Sequence, residues 1–282
     1  MKGILSLENK DTFKASPVHV LPILVSLLFS IPFVVVIHES NVELESALGL
    51  SEAGIDPLFT GLMFVGAAGF GATLIYLLVK YGLKSIIRLL IGFAFSLLTF
   101  SLVLLYSELF LLVIGVEVPA LIVYGLGLSA AAYVIFFAIL RKSRLYEIII
   151  LIFGGATGTL LGATIPLTST IVILVLLAFY DVFAVFRGPV GKIASKGLAS
   201  IPGISFSFSN VHVGLGDLIF YSMLTSRMYL SFGWLTFSAT SIGVILGSFL
   251  SFKMVEKKGM FPGLPFSIFF GLLAAFLTEF VV

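Results

Sequence analysis

The chain has 282 residues; 60% are hydrophobic, 11% are charged, the formal net charge is +2 and the mean hydropathy is +1.21. A soluble domain carries about 25% charged residues, so this composition excludes a water-facing globular enzyme, and it equally excludes disorder, which needs low hydrophobicity. There is no Cys, which removes disulfides, thiolate metal sites and a Cys nucleophile.

What remains is an all-α polytopic membrane protein forming a single transmembrane domain over 1–282. The basic residues fall in small clusters between apolar runs, so the expected surroundings are a lipid bilayer and not nucleic acid. The first 17 residues are polar and carry Lys2, Lys10 and Lys14. An apolar stretch follows over about 18–38 and ends in His38-Glu39-Ser40 without a small-x-small cleavage site, which reads as a retained helix. Further stretches of spanning length cover about 57–79, 85–106, 119–140, 145–163, 167–186, 211–230, 232–252 and 262–281. The apolar region from Leu89 to Leu140 is too long for one helix, and Glu108 and Glu117 mark its turn. Pro166, at the end of Gly162-Ala163-Thr164-Ile165-Pro166, divides 145–186. Gly154, Gly158 and Gly162 form a G-x-x-x-G-x-x-x-G stripe, and Gly243 and Gly247 a shorter one; both read as close helix-packing faces.

Nine spans place alternate loops on opposite sides of the bilayer. One side then receives five groups of three basic residues: Lys2, Lys10, Lys14; Lys80, Lys84, Arg88; Arg141, Lys142, Arg144; Arg187, Lys192, Lys196; Lys253, Lys257, Lys258. The other side receives only Arg227 of the 16. The positive-inside rule therefore predicts nine helices, the N-terminus cytoplasmic and the C-terminus outside. No internal repeat is visible, which leaves an inverted-repeat transporter without support.

Most acidic residues lie in loops or near helix ends, but Asp181 and Asp217 fall inside spans 6 and 7. An ionisable group within a span costs about 2.5–3.5 kcal/mol on insertion scales, and such groups mark functional sites. Asp181 precedes Arg187 by six residues, and Asp217 follows Val211 by six, which predicts that both lie about 9 Å from the same face. Two carboxyls held close share a proton. That arrangement suits aspartyl proteolysis, in which one carboxylate draws a proton from water while the other acid polarises the carbonyl. Paired membrane carboxylates also suit an ion-coupled transporter or cation channel, the alternative reading.

The flanking residues separate these readings. Span 6 carries Tyr180-Asp181, span 7 carries Gly214-Leu215-Gly216-Asp217, and Pro262-Gly263-Leu264-Pro265 stands near the start of span 9. This set resembles the presenilin and signal peptide peptidase family of intramembrane aspartyl proteases, with its Tyr-Asp, Gly-x-Gly-Asp and Pro-Ala-Leu motifs in that order. The Leu-Ile-Phe-Tyr-Ser after Asp217, the Gly188-Pro189 pair and the second proline are more similar to presenilin. Short loops and the absence of Cys point to a microbial, archaeal member. The resemblance implies Asp181 and Asp217 as the catalytic dyad, with base and acid not assigned between them. It implies that Tyr180, Gly214, Leu215, Gly216, Pro262, Gly263, Leu264 and Pro265 shape the site and contact substrate. Two departures stand out: Gly263 replaces the usual Ala, and the loop after span 6 is far shorter than presenilin's, which argues against autocatalytic clipping. No metal or organic cofactor is implied. The expected partners are transmembrane helical peptide substrates, with the chain acting alone or as a homo-oligomer.

Other membrane proteases fit less well. Gly127-Leu128-Ser129-Ala130 only partly matches a rhomboid Gly-x-Ser-Gly, His38-Glu39 lacks the second His of a zinc site, and His212 reads as a loop residue near Asp217.

Overall fold

In hydrocarbon, a backbone segment must satisfy its own hydrogen bonds, so long apolar runs become helices. The computed structural model describes residues 14–44, 56–140, 144–187, 205–208, 211–258 and 261–281. Among them are nine long helices: α1 (Leu21–Ser40, entered through a 3-10 turn at Pro17–Val20), α2 (Pro57–Lys80), α3 (Lys84–Ile114), α4 (Ala120–Leu140), α5 (Arg144–Thr164), α6 (Leu167–Phe186), α7 (Leu215–Phe232), α8 (Trp234–Lys258) and α9 (Leu264–Val281). A two-stranded antiparallel hairpin, β1 (Ser205–Phe208) and β2 (Val211–Gly214), stands between α6 and α7, with Ser205 opposite Gly214.

Six of these helices, α1, α2, α3, α6, α8 and α9, are long and apolar enough to cross a membrane by themselves. Their outward faces and that of α4 are greasy: Phe70 is 72% exposed and Leu121 83%. Water would not tolerate such a surface, whereas lipid requires it. The chain is a multi-pass integral membrane protein.

Helix α7 organises the bundle. It is not among the six self-sufficient spans, and it carries Ser222, Thr225 and Ser226, all fully buried. It packs against α1, α5, α6, α8 and α9. A helix walled by other helices can hold polar groups that a lipid-facing helix cannot. The α5 glycine stripe makes this fit possible. A Cβ on Gly154 would lie 2.7 Å from the Leu218 Cβ, one on Gly162 2.6 Å from the Met223 carbonyl oxygen, and one on Gly158 would overlap the Ile219 carbonyl. The Gly243 and Gly247 pair does the same for α8 against the Phe270 and Phe266 carbonyls of α9. Cross-helix hydrogen bonds add register: Thr159 Oγ1 lies 2.9 Å from Ser226 Oγ, and Arg227 Nη1 donates to the Ile165 carbonyl at 3.2 Å.

Several expected boundaries move. Helix α3 continues to Ile114, so Glu108 lies within it and the turn begins at Gly115, which takes a left-handed conformation (φ 68°). Residues 211–214, expected as the first turn of span 7, form a strand instead, and α7 begins at Leu215. Span 9 begins at Leu264 and not 262. The α5 to α6 turn is only Ile165-Pro166, and Gly162 belongs to the helix before it. Lys2, Lys10, Arg141, Lys142, Gly188, Pro189, Lys192 and Lys196 lie outside the described residues.

Overpacking of a close helix contact costs about 1–3 kcal/mol. Gly158→Ala should therefore lower the thermal midpoint in detergent by several degrees, whereas Gly71→Ala, with open space around its Cβ, should leave it unchanged. Equal melting of the two variants would contradict the packing role of the stripe.

Candidate active site

Three chain segments converge. Asp181 lies five residues before the C-terminal end of α6 at Phe186. Asp217 is the third residue of α7 and falls in its first turn, with Gly214 as the N-cap. Strand β2 delivers the chain to that cap in an extended conformation (Gly214 φ −66°, ψ 140°). The Asp217 carboxyl turns back toward the Gly214 N–H, the reciprocal half of a capping box. An acid in this place also meets the positive end of the helix dipole.

The third segment is Pro262 to Pro265. Residues 261–263 are not helical, and α9 starts at Leu264 with Pro265 in its first turn, a position where a missing N–H costs nothing. The first N–H groups of any helix lack partners within it. Here Asp181 supplies one from another helix: Leu264 N–H donates to Asp181 Oδ2 at 3.1 Å, and the Gly263 N–H faces the same carboxyl. The neighbouring residue touches the other aspartate. A Cβ on Gly263 would lie 2.8 Å from Asp217 Oδ2. Consecutive residues, Gly263 and Leu264, thus face the two carboxyls. Both side chains are half-buried.

The other expected site residues separate into two groups. Gly214 faces the site, its Cβ direction ending 3.6 Å from Asp217 Oδ2. Pro262 and Leu264 are buried beside it. Gly216 is turned toward Phe220 instead, and Tyr180 lies against Gly69 of α2, with the Tyr180 hydroxyl 3.7 Å from where a Cβ would stand. Leu215 packs into the apolar core. Pro265 opens onto a lateral cavity of about 420 Å³ between α6 and α9, lined by Ala178, Val182, Ile268 and Leu272 among others. Ser129, by contrast, is exposed and bonded to its own helix at Leu126.

A hydroxyl cluster at the site went unnoticed in the sequence. The Gly263 carbonyl accepts from Tyr221 Oη at 3.0 Å, Ser267 Oγ at 3.0 Å and Ser251 Oγ at 3.4 Å, and Ser248 Oγ lies 2.9 Å from Ser267 Oγ. The available signal was spacing: Tyr221 follows Asp217 by four residues, and Ser267 follows Gly263 by four, so each shares a helix face with its partner. Among the described residues, no group of three or more His, Asp or Glu side chains is placed to hold a metal.

Residues 199–282, which hold Asp217 and the Pro262–Pro265 segment, match the presenilin family model. Over 172 residues the chain is 33% identical to Presenilin-B of Dictyostelium discoideum, covering 57% of this chain and 35% of that protein. The chain is similar to presenilins over these regions. Presenilin sel-12 of Caenorhabditis elegans is 37% identical over 73 residues, 26% of this chain and 16% of that protein. The chain thus spans about a third or less of the length of these presenilins in the matched regions. The fold matches a solved presenilin family intramembrane aspartate protease in two crystal forms. The TM-scores are 0.65 and 0.62, at 21% and 22% identity; 93% of this chain is covered in each case, with 96% and 100% of the solved chain.

A helix cap is worth about 1 kcal/mol. Asp181→Asn keeps an acceptor for the Leu264 N–H, and Asp181→Ala removes it, so the Ala variant should melt about 2 °C below the Asn variant. The same midpoint for both would show that this cap contributes nothing.

Proposed function

We propose that the chain is an intramembrane aspartyl endopeptidase, hydrolysing peptide bonds within transmembrane segments with Asp181 and Asp217 as its dyad. The observation that carries this reading is the contact of Gly263 and Leu264 with the two carboxyls. In this reading one carboxylate takes a proton from water as the oxygen attacks the scissile carbon. The other carboxyl, protonated, donates to the carbonyl oxygen and stabilises the developing charge. Collapse of the tetrahedral intermediate returns a proton to the leaving amine. Backbone N–H groups at the helix starts support whichever carboxyl carries the charge.

The substrate arrives from the bilayer as a helix. The apolar cavity between α6 and α9 is lined by Pro265 and by Val182, the residue after Asp181, which supports lateral entry of a hydrophobic segment. A helical peptide bond is shielded by its own hydrogen bonds, so the segment must unwind next to backbone able to replace them. The β1–β2 hairpin immediately before α7 and the non-helical 261–263 stretch are two such backbones. The nine long helices correspond in this reading to nine crossings, with the polar stretch before α1 and the basic clusters cytoplasmic, and with water reaching the dyad from that side. The chain acts alone or as a homo-oligomer, without a cofactor.

Purified protein in detergent tests the reading with a transmembrane peptide and mass spectrometry of its products. Asp181→Ala and Asp217→Ala should each lower cleavage by at least about 10²-fold, and full cleavage by either variant would sink the dyad. The wild-type rate should fall on both sides of a maximum. At low pH the base is protonated; at high pH the acid has lost its proton. A flat profile contradicts proton sharing.

A further inference from the structure

The hydroxyl cluster has a geometric consequence for the dyad. The Gly263 carbonyl and the Leu264 N–H belong to one peptide group, which is planar and rigid. Its two polar ends are engaged on opposite sides. The N–H donates to Asp181 Oδ2 at 3.1 Å, and the carbonyl receives Tyr221 Oη and Ser267 Oγ, each at 3.0 Å. Holding one end of a rigid plane fixes the direction of the other. A carbonyl oxygen offers two lone pairs, and these two hydroxyls are enough to fill them; Ser251, at 3.4 Å, is the weakest donor of the three.

We propose that Tyr221 and Ser267 are positioning residues, which clamp the Gly263 carbonyl and so aim the Leu264 N–H at Asp181. Tyr221 is 2% exposed, and Ser267 is fully buried. Each acts through the 263–264 peptide. Ser248 stands beside the clamp: its Oγ lies 2.9 Å from Ser267 Oγ and also donates to the Val244 carbonyl at 2.8 Å. Tyr221 also stands one turn beyond Asp217 on the same helix. Helix α7 therefore sets the place of its own carboxyl directly, and that of the α6 carboxyl through the α9 peptide. Three helices are tied by one amide plane. Glycine at 263 fits this arrangement, since a Cβ there would crowd both Asp217 Oδ2, at 2.8 Å, and Tyr221 Oη, at 3.4 Å.

The clamp deepens the proteolytic reading and rests on it for its effect on rate, but its geometry has an independent readout. Over 261–266 the amide hydrogens belong to Phe261, Gly263, Leu264 and Phe266, since Pro262 and Pro265 have none, so amide hydrogen exchange of the full-length protein in detergent is read at Leu264 itself, by a residue-resolved measurement. Asp181→Ala frees that amide and sets the upper reference. Tyr221→Phe keeps the ring in its buried place and removes only the hydroxyl. It should speed exchange by about fivefold or more, lower kcat on a transmembrane peptide about tenfold, and leave KM and the melting temperature unchanged. Ser267→Thr, which retains the hydroxyl, should keep the wild-type rate where Ser267→Ala loses it. Wild-type exchange in Tyr221→Phe overturns the clamp, as does a kcat loss that follows a lower melting temperature. If Tyr221→Phe speeds exchange while Asp181→Ala still cleaves, the proteolytic reading fails and the clamp stands.

Discussion

Two carboxylates brought together inside an apolar bundle need positive partners, and among the described residues no Lys or Arg is paired with either. Helix N-termini take that part. Asp217 lies in the first turn of α7, and Asp181 reaches across to the first N–H of α9. Each carboxyl therefore meets unpaired N–H groups and the positive end of a dipole. Much of the surrounding architecture follows from this need. The β1–β2 hairpin brings the chain to Leu215 extended, so that α7 can begin beside its acid. The non-helical 261–263 stretch does the same for α9. A helix running straight through either place would bury its N–H groups in its own ladder and leave the acids unsupported.

The arrangement also divides the bundle by depth of burial. Helix α7 is enclosed, and its serines and threonines bond to neighbours such as Thr159. Helices α6 and α9 are half open, with the apolar cavity between them. Rigidity is thus concentrated where the acids are oriented, and openness where a hydrophobic segment would enter. The glycines of α5 supply the first by letting backbones touch.

Much of this was legible in the sequence. Low overall charge made Asp181 and Asp217 conspicuous, and the Gly and Pro residues around them marked the three segments that meet. What sequence spacing missed has a common cause. Residues 211–214 are apolar enough to continue a span, and hydropathy does not separate a short strand from a first helical turn, so the depth inferred for Asp217 placed it too far inside its helix. Glu108 suggested a turn that α3 passes over, because an acid near a helix end can reach the bilayer interface. Tyr180 stands next to Asp181 in sequence but points elsewhere around the helix, whereas Tyr221, four residues from Asp217, points at the site. Neighbours along a helix are rarely neighbours in space; residues a turn apart are.

The burial of α7 has a bearing on biosynthesis. A segment enters the bilayer on its own only if its apolar side chains outweigh its polar ones, and α7, with Asp217, Ser222, Thr225, Ser226 and Arg227, is outside the set that does so readily. Its membrane residence depends on α1, α5, α8 and α9 being there to receive it. The helix that carries Asp217 is therefore among the last to gain a stable place. Until it does, Gly263 and Leu264 have only one aspartate to meet, and a partly assembled chain lacks the paired carboxyls altogether.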